Sequence, residues 1–156
     1  MPFDRHTAAQ RSYNMSRIRK FGNASTEQRM IRLFREYGIK GWRRHLALPG
    51  CPDFTFRRQG VAIFVDGCFW HCCPTCNWVP KSNTAYWAKK LARNMARDRD
   101  ANRGLIRSGW RVIRVWEHTL KNSPGRVAGR VLRALSDCNE FVQFVPPAMD
   151  SAGNRR

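Results

Sequence analysis

The run VAIFV at residues 61–65 constrains the fold more than any other segment of the chain. It shows no alternation of polar and apolar side chains, which is typical of a strand covered on both faces of its sheet. Gly60 supplies a turn signal before the run, and Asp66 ends it. We therefore expect a central strand in a sheet that has helices packed on it.

Apolar periodicity and turn residues predict the other elements. A helix is expected to begin at Ser25, where Ser25 and Gln28 have the spacing of a capping box, and to stop at Gly38. The remaining predicted elements are strands at 42–46, 53–56 and 110–116, a helix at 84–107, and a last helix from Ser123-Pro124 that turns Val127, Val131, Leu132 and Leu135 inward. This order predicts one α/β domain in which helices flank a mixed sheet.

The charge balance indicates the class of partner. The chain has 29 Lys and Arg against 11 Asp and Glu, a formal net charge of +18. Such an excess creates a positive field that attracts polyanions, whereas a surface built only for solubility usually mixes both signs. The sequence shows neither an apolar run of transmembrane length nor a secretory signal pattern. We therefore predict a nucleic-acid partner and no membrane partner.

Composition divides the chain into three parts. Residues 1–22 are basic without an apolar period, so we expect an arm that orders on nucleic acid, the alternative being a disordered leader with no role. Residues 23–138 contain all the predicted helices and strands and form the folded domain. Residues 139–156 include two prolines and are expected to form a loose tail.

Four residues have the composition of a structural zinc site. Cys68, Cys73 and Cys76 have the spacing C-x4-C-x2-C, and His118 follows the last predicted strand. Three thiolates and one imidazole form a closed tetrahedral shell for Zn²⁺, and in a chain without a signal peptide metal binding is favoured over disulfides. The alternative is that these cysteines are buried or free thiols. The cysteines left outside the set are Cys51, Cys72, which competes with its neighbour Cys73, and Cys138.

Two aspartates indicate a site for a hard cation. Asp53 begins one predicted strand and Asp66 ends the next, so a hairpin through Gly60 brings both to one edge of the sheet. Carboxylates at such an edge can hold Mg²⁺ beside a phosphodiester, where the ion neutralises charge and activates water. Either aspartate alone is more often a turn or cap residue.

An imidazole follows this pair in the chain. His71 lies five residues past Asp66, and an imidazole can take a proton from an attacking water near neutral pH. The competing interpretation is a zinc ligand. Asp98 shares a face of the long predicted helix with Trp87, Leu91 and Asn94, and it could orient His71 if that face meets the loop; the alternative is an ion pair with Arg97 or Arg99.

Three aromatic residues lie in or just after the cysteine-rich loop predicted at residues 67–83. Phe69 and Trp70 lie within it, and Trp87 is in the first turn of the following helix. Aromatic side chains that stack on bases can offset the few kcal/mol needed to unstack a base step, a cost that is smallest at a mismatch. Spacing alone equally allows these residues to be core plugs.

At this point the sequence resembles the very-short-patch-repair (Vsr) DNA mismatch endonucleases. The matching runs are RSYNM at 11–15, LPGCPDF at 48–54, IFVDGCFWH at 63–71, NMARD at 94–98, and GWRV at 109–112 through VWE at 115–117. The resemblance implies a restriction-endonuclease-like (PD-(D/E)xK-type) fold over residues 23–138. It also implies Mg²⁺-dependent nicking of duplex DNA 5′ to the T of a T·G mismatch, a product of 5-methylcytosine deamination.

The resemblance also implies roles for particular residues. Asp53 corresponds to the main magnesium ligand, the carbonyl of Val65 to a second ligand, His71 to the general base, Asp98 to its support, and Glu27 to an acid near the metal. Among DNA contacts, Phe69, Trp70 and Trp87 correspond to an intercalating wedge, and Asn14 and Met15 to an arm that enters the minor groove.

The chain departs from the wider pattern at two positions. Related nucleases of this fold place a lysine two residues after the second acid, where this chain has Cys68, which strengthens the assignment of His71 as the base. Some relatives have histidine where this chain has Asp66, so Asp66 offers the metal a second carboxylate.

The resemblance implies duplex DNA with a T·G mismatch as partner, a monomer in the bacterial cytoplasm that acts on the nucleoid, and contact with accessory mismatch-repair proteins. Two alternatives stay open: a sequence-specific restriction or homing-type nickase on the same fold, and a non-catalytic zinc DNA-binding module. A basic structural protein leaves Asp53, Asp66 and His71 without a role.

Overall fold

A computed structural model describes Gln10, residues 22–77 and residues 80–137. The predicted arm with Asn14 and Met15, and the predicted tail, lie outside these described residues, apart from Gln10 and Gly22. The described elements are α1 (Glu27–Glu36), β1 (Arg43–Arg44), β2 (Phe54–Phe56), β3 (Val61–Asp66), α2 (Thr84–Arg107), β4 (Arg111–Trp116), α3 (Glu117–Asn122) and α4 (Pro124–Ser136).

The four strands form one mixed sheet in the order β1-β2-β3-β4. β2 and β3 are antiparallel, with Phe54 opposite Ile63, while β3 and β4 are parallel, with Asp66 opposite Trp116. All six residues of β3 are buried, which confirms the central strand predicted from its unbroken apolar run. The mixed α/β class is confirmed as well.

Helices cover both faces of this sheet. Ile63 and its alternate neighbours in β3 pack in a core with Phe34 of α1 and Val131 of α4. Phe64 lies on the opposite face, in a second cluster with Leu105 of α2. Because side chains alternate along a strand, Asp66 falls on the α2 face, next to the loop that follows β3. None of the described helices is long and apolar enough to cross a bilayer.

The structure corrects three details of the sequence-based prediction. α1 begins at Glu27, and the Gln28 N–H donates to the Asn23 carbonyl, so the capping box from Ser25 is wrong because a backbone turn supplies the acceptor. The buried face of α4 uses small residues beside the valines, which leaves Leu132 40% exposed. The six residues of α3 were not predicted, since so short a helix has no apolar period to detect.

Candidate active site and zinc centre

A cleft of about 740 Å³ lies beside the carboxyl end of β3. It is formed where the β2–β3 hairpin, the start of α1 and the middle of α2 meet. The structure brings to this one cleft all of the predicted active-site side chains, which are Glu27, Asp53, Asp66, His71 and Asp98, together with Trp70 of the predicted wedge. Arg114, which was not predicted, lines it as well.

The hairpin register places Asp53 beside Val65. Phe54 pairs with Ile63, so the preceding residue, Asp53, lies close to the carboxyl end of β3. The Val65 N–H donates to Asp53 Oδ2 at 2.7 Å. Burial raises the pKa of Asp53 to about 6, although the Val65 hydrogen bond acts in the opposite direction. A bound cation would favour the ionised form of this carboxylate.

Glu27 anchors a second group of side chains at the start of α1. It is only 3% exposed, and its Oε1 accepts the Gly22 N–H at 2.7 Å while its Oε2 accepts from Arg44 and lies 2.8 Å from His45 Nε2. Burial would raise the pKa of Glu27, but these hydrogen bonds, led by that of Arg44, hold it below its ordinary value. Potential ligand atoms of Glu27, His45 and Asp53 lie within 4.8 Å of one another. No local pattern predicted His45, because the contact depends on how β1 meets α1.

His71 and Asp98 form a close pair across the cleft. The distance from His71 Nδ1 to Asp98 Oδ2 is 2.6 Å, and from the same nitrogen to Asp66 Oδ1 it is 3.7 Å. Burial would raise the pKa of Asp98, but the bond to His71 and the charges of His71 and Arg114 hold it below its ordinary value. The neighbouring arginines bond elsewhere: Arg97 to the Asn94 side chain and Arg99 to the Met95 carbonyl.

Asp66 pairs with an arginine that the sequence analysis did not identify. Arg114 donates from Nε to Asp66 Oδ2 at 2.5 Å and from Nη2 to Asp66 Oδ1 at 2.7 Å. A sequence signal for this pair exists, since an arginine interrupts the apolar residues of β4. The partner of this arginine can be identified only from the strand register, in which Arg114 lies opposite Phe64 on the α2 face.

The four predicted zinc ligands converge on one point. The sulfur atoms of Cys68, Cys73 and Cys76 lie 3.3, 3.5 and 3.4 Å from His118 Nδ1. Zinc–sulfur and zinc–nitrogen bonds in a tetrahedral site set this edge at about 3.6 Å. Donor chemistry and spacing therefore both fit a structural zinc ion. Burial raises the pKa of the Cys68 thiol to about 12, and a cation bound beside it would favour the thiolate.

Parallel pairing of β3 and β4 explains how these ligands meet. Asp66 lies opposite Trp116, and Cys68 and His118 each follow their strand by two residues. The Thr119 hydroxyl lies 3.1 Å from His118 Nε2 and can fix the orientation of the ring. Cys72, adjacent to Cys73, lies outside the cluster of four.

The three aromatic residues form a cluster, of which Trp70 lines the cleft. Ring centroids of Phe69 lie 5.0 Å from Trp70 and 5.2 Å from Trp87, and all three side chains are partly exposed. They belong to neither core cluster, which disfavours the core-plug alternative. Lys90 Nζ lies 5.3 Å from the ring of Trp70, and the Asn94 amide donates to the Trp70 carbonyl at 3.1 Å, so α2 fixes the loop.

Comparison with known proteins identifies the family. A family model described as DNA mismatch endonuclease Vsr matches residues 3–77. DNA mismatch endonuclease Vsr of Escherichia coli is 38% identical over 120 residues, covering 76% of this chain and 76% of that protein. The chain belongs to the Vsr family. The segment that matches the Vsr family model contains Asp53, His71 and the three cysteines of the zinc cluster.

Two further relatives of this Vsr-family chain are named as type II nicking enzymes. V.XorIIP of Xanthomonas oryzae pv. oryzae is 34% identical over 122 residues, covering 76% of this chain and 88% of that protein. V.NaeI of Lentzea aerocolonigenes is 54% identical over 67 residues, covering 43% of this chain and 40% of that protein. The match with V.NaeI thus spans less than half the length of either chain.

Proposed function

We propose that the protein is a Mg²⁺-dependent DNA endonuclease that nicks duplex DNA 5′ to the T of a T·G mismatch, as in very short patch repair. The proposed scaffold is a restriction-endonuclease-like fold with a structural zinc ion. One observation carries the proposal: the groups suited to hydrolysis, Asp53 and the His71–Asp98 pair, line the same cleft as Trp70, an aromatic suited to stacking on bases. Membership in the Vsr family supports it.

In the proposed reaction, His71 accepts the proton of the attacking water. Asp98 engages His71 Nδ1 at 2.6 Å, which leaves Nε2 as the nitrogen for the water. Asp53 and the Val65 carbonyl would hold Mg²⁺, and Glu27 would bind water around it, since oxygen donors suit this hard cation. When bound, Mg²⁺ neutralises charge on the phosphate and stabilises the leaving oxygen.

Selectivity for a mismatch is proposed to come from the aromatic cluster. Phe69, Trp70 and Trp87 would enter the base stack, and the cost of separating a base step is lowest where pairing is already weak. The zinc cluster holds the loop that presents Phe69 and Trp70, so little conformational entropy is lost on insertion. Asn14 and Met15 are proposed to contact the minor groove.

The decisive experiment uses an end-labelled duplex that contains a single T·G pair. We expect a nick 5′ to the T with Mg²⁺ and none without it, and no nick in the same sequence with a T·A pair. Asp53→Asn, which keeps an oxygen acceptor for the Val65 N–H, should bind this duplex without nicking it. Nicking by Asp53→Asn at the wild-type rate would contradict the assignment of the metal ligand.

The wedge is tested separately by Trp70→Ala. We expect this change to lower the preference for T·G over T·A duplexes by about 1–3 kcal/mol in binding, the contribution of one base–aromatic stack. Competition binding of both duplexes, each with the same flanking sequence, measures this difference. Equal losses on matched and mismatched duplexes would contradict a role in mismatch selection.

A second candidate is a sequence-specific nickase, which the names of the Xanthomonas and Lentzea relatives favour. It predicts a nick at a fixed sequence whether or not that sequence holds a mismatch. Comparison of T·G and T·A duplexes in several sequence contexts separates the two activities. A non-catalytic zinc module predicts no nick in any duplex with any divalent cation.

A further inference from the structure

The guanidinium of Arg114 lies between two carboxylates of the cleft. It binds both oxygens of Asp66, at 2.5 and 2.7 Å, and its Nη2 also lies 3.1 Å from Asp98 Oδ1. Its Nη1 donates to the Asn102 side chain at 3.2 Å. One side chain of β4 is therefore bonded to β3 and to two successive turns of α2.

The surroundings of Arg114 favour this arrangement. The ring of Phe64 lies 4.7 Å from the guanidinium carbon, which restricts the plane of the group. Asp66 is only 3% exposed, and a buried carboxylate without a counterion is strongly unfavourable. The paired geometry matches the planar fork of arginine, which a lysine cannot reproduce.

The contact with Asp98 has a consequence for His71. Asp98 Oδ1 lies against Arg114, while Asp98 Oδ2 lies 2.6 Å from His71 Nδ1. A carboxylate engaged at both oxygens cannot rotate without losing one of these partners. The orientation of His71 is therefore linked through Asp98 to Arg114.

We propose that Arg114 is a positioning residue that holds Asp98 against His71, and that Asp66 is the counterion of Arg114 and not a metal ligand. This inference rests on the proposed function, because it assigns roles within the same active site. Both Asp66 oxygens already accept from Arg114. Within the described part of the chain, the acidic cluster able to hold a cation consists of Glu27, His45 and Asp53 and does not include Asp66.

The first test measures the state of His71 by ¹⁵N NMR on zinc-loaded protein, with the signals assigned from His71→Gln. The wild type should show a proton on Nδ1 in a single tautomer. Arg114→Lys keeps the charge but lacks the fork, and Arg114→Gln lacks both, so each should show a mixture of tautomers. If Arg114→Gln fails to fold, Asp66→Asn/Arg114→Gln removes both charges together and should show the same mixture. A single Nδ1-protonated tautomer in these variants would overturn the positioning role.

Single-turnover nicking of the T·G duplex provides the second readout. A misplaced catalytic group costs about 100-fold in rate, so we expect Arg114→Lys to slow nicking by that factor while its DNA Kd stays unchanged. A wild-type rate would overturn the inference. The NMR experiment does not depend on nicking. If the spectra show the predicted tautomers but the protein nicks no duplex, the proposed function is wrong while the positioning role of Arg114 stands.

The third test asks which aspartate binds the cation, using calorimetric titration of Mn²⁺ into the protein–DNA complex, with His71→Gln present in every protein so that the DNA is not nicked. We expect Asp53→Asn to weaken Mn²⁺ binding at least about tenfold and Asp66→Asn to leave it unchanged. The two substitutions are matched, since each replaces one carboxylate oxygen by an amide nitrogen. A loss in Asp66→Asn as large as that in Asp53→Asn would overturn the counterion assignment.

Discussion

The carboxylate of Asp53 is destabilised in the metal-free folded protein, because burial raises its pKa from 3.8 to about 6. A raised carboxyl pKa means that the folded state holds its proton more tightly than the unfolded state. Stability therefore falls as pH rises from about 4 to about 6 and is lowest above that window. A group that costs stability in this way is typical of a functional site.

We expect Asp53→Asn to raise the free energy of unfolding of metal-free protein by up to about 3 kcal/mol at pH 7.5, and by roughly half as much at pH 5. Urea denaturation of zinc-loaded protein without Mg²⁺ measures both values. Added Mg²⁺ should stabilise the wild type and not the variant, since the proposed metal site uses this carboxylate. An unchanged or lower stability of Asp53→Asn at pH 7.5 would show that the ionised group is well compensated.

At the scale of elements, we expect the loop between β3 and α2 to depend for its shape on a zinc ion held by Cys68, Cys73, Cys76 and His118. Cys76→Ser removes one of four ligands, and we expect a loss of about 3 kcal/mol, equivalent to about 10 °C in Tm. Cys72→Ser is the matched control, because Cys72 adjoins Cys73 but lies outside the cluster. Metal analysis and thermal denaturation check both variants. Loss of zinc from Cys72→Ser with retention in Cys76→Ser would mean that the ligand set is wrong.

Elements were predictable where a local pattern determines them. β3 and α2 have the bounds expected from sequence, because an unbroken apolar run and a long periodic helix each contain their own signal. The placement of Asp53, His71 and Asp98 in one cleft was also expected. Arg114 and His45 were missed, because their partners are fixed by strand register and by the meeting of β1 with α1.

At the scale of the whole molecule, the charge of +18 makes DNA binding dependent on salt concentration. The positions of the Lys and Arg side chains decide which of them contact phosphates and so contribute to this dependence. Lys89 and Arg93 are exposed one turn apart on α2 and line a second cleft of about 560 Å³ with Tyr86 and Lys90. Lys90 lies over the rings of Trp70 and Trp87, so this surface continues from the aromatic cluster. A duplex that receives the wedge would bring its phosphates close to Lys89 and Arg93.

We expect Lys89→Gln/Arg93→Gln to weaken binding of T·G and T·A duplexes equally and to reduce the slope of log K against log salt concentration by about 2. Arg57→Gln/Arg58→Gln is the matched control, since it removes the same charge from the hairpin turn at the opposite end of β3. The control should leave the slope unchanged, because counterions are released only where phosphates are contacted. Equal changes in both double variants would mean that the net charge of the molecule, and not a defined surface beside the wedge, attracts the DNA.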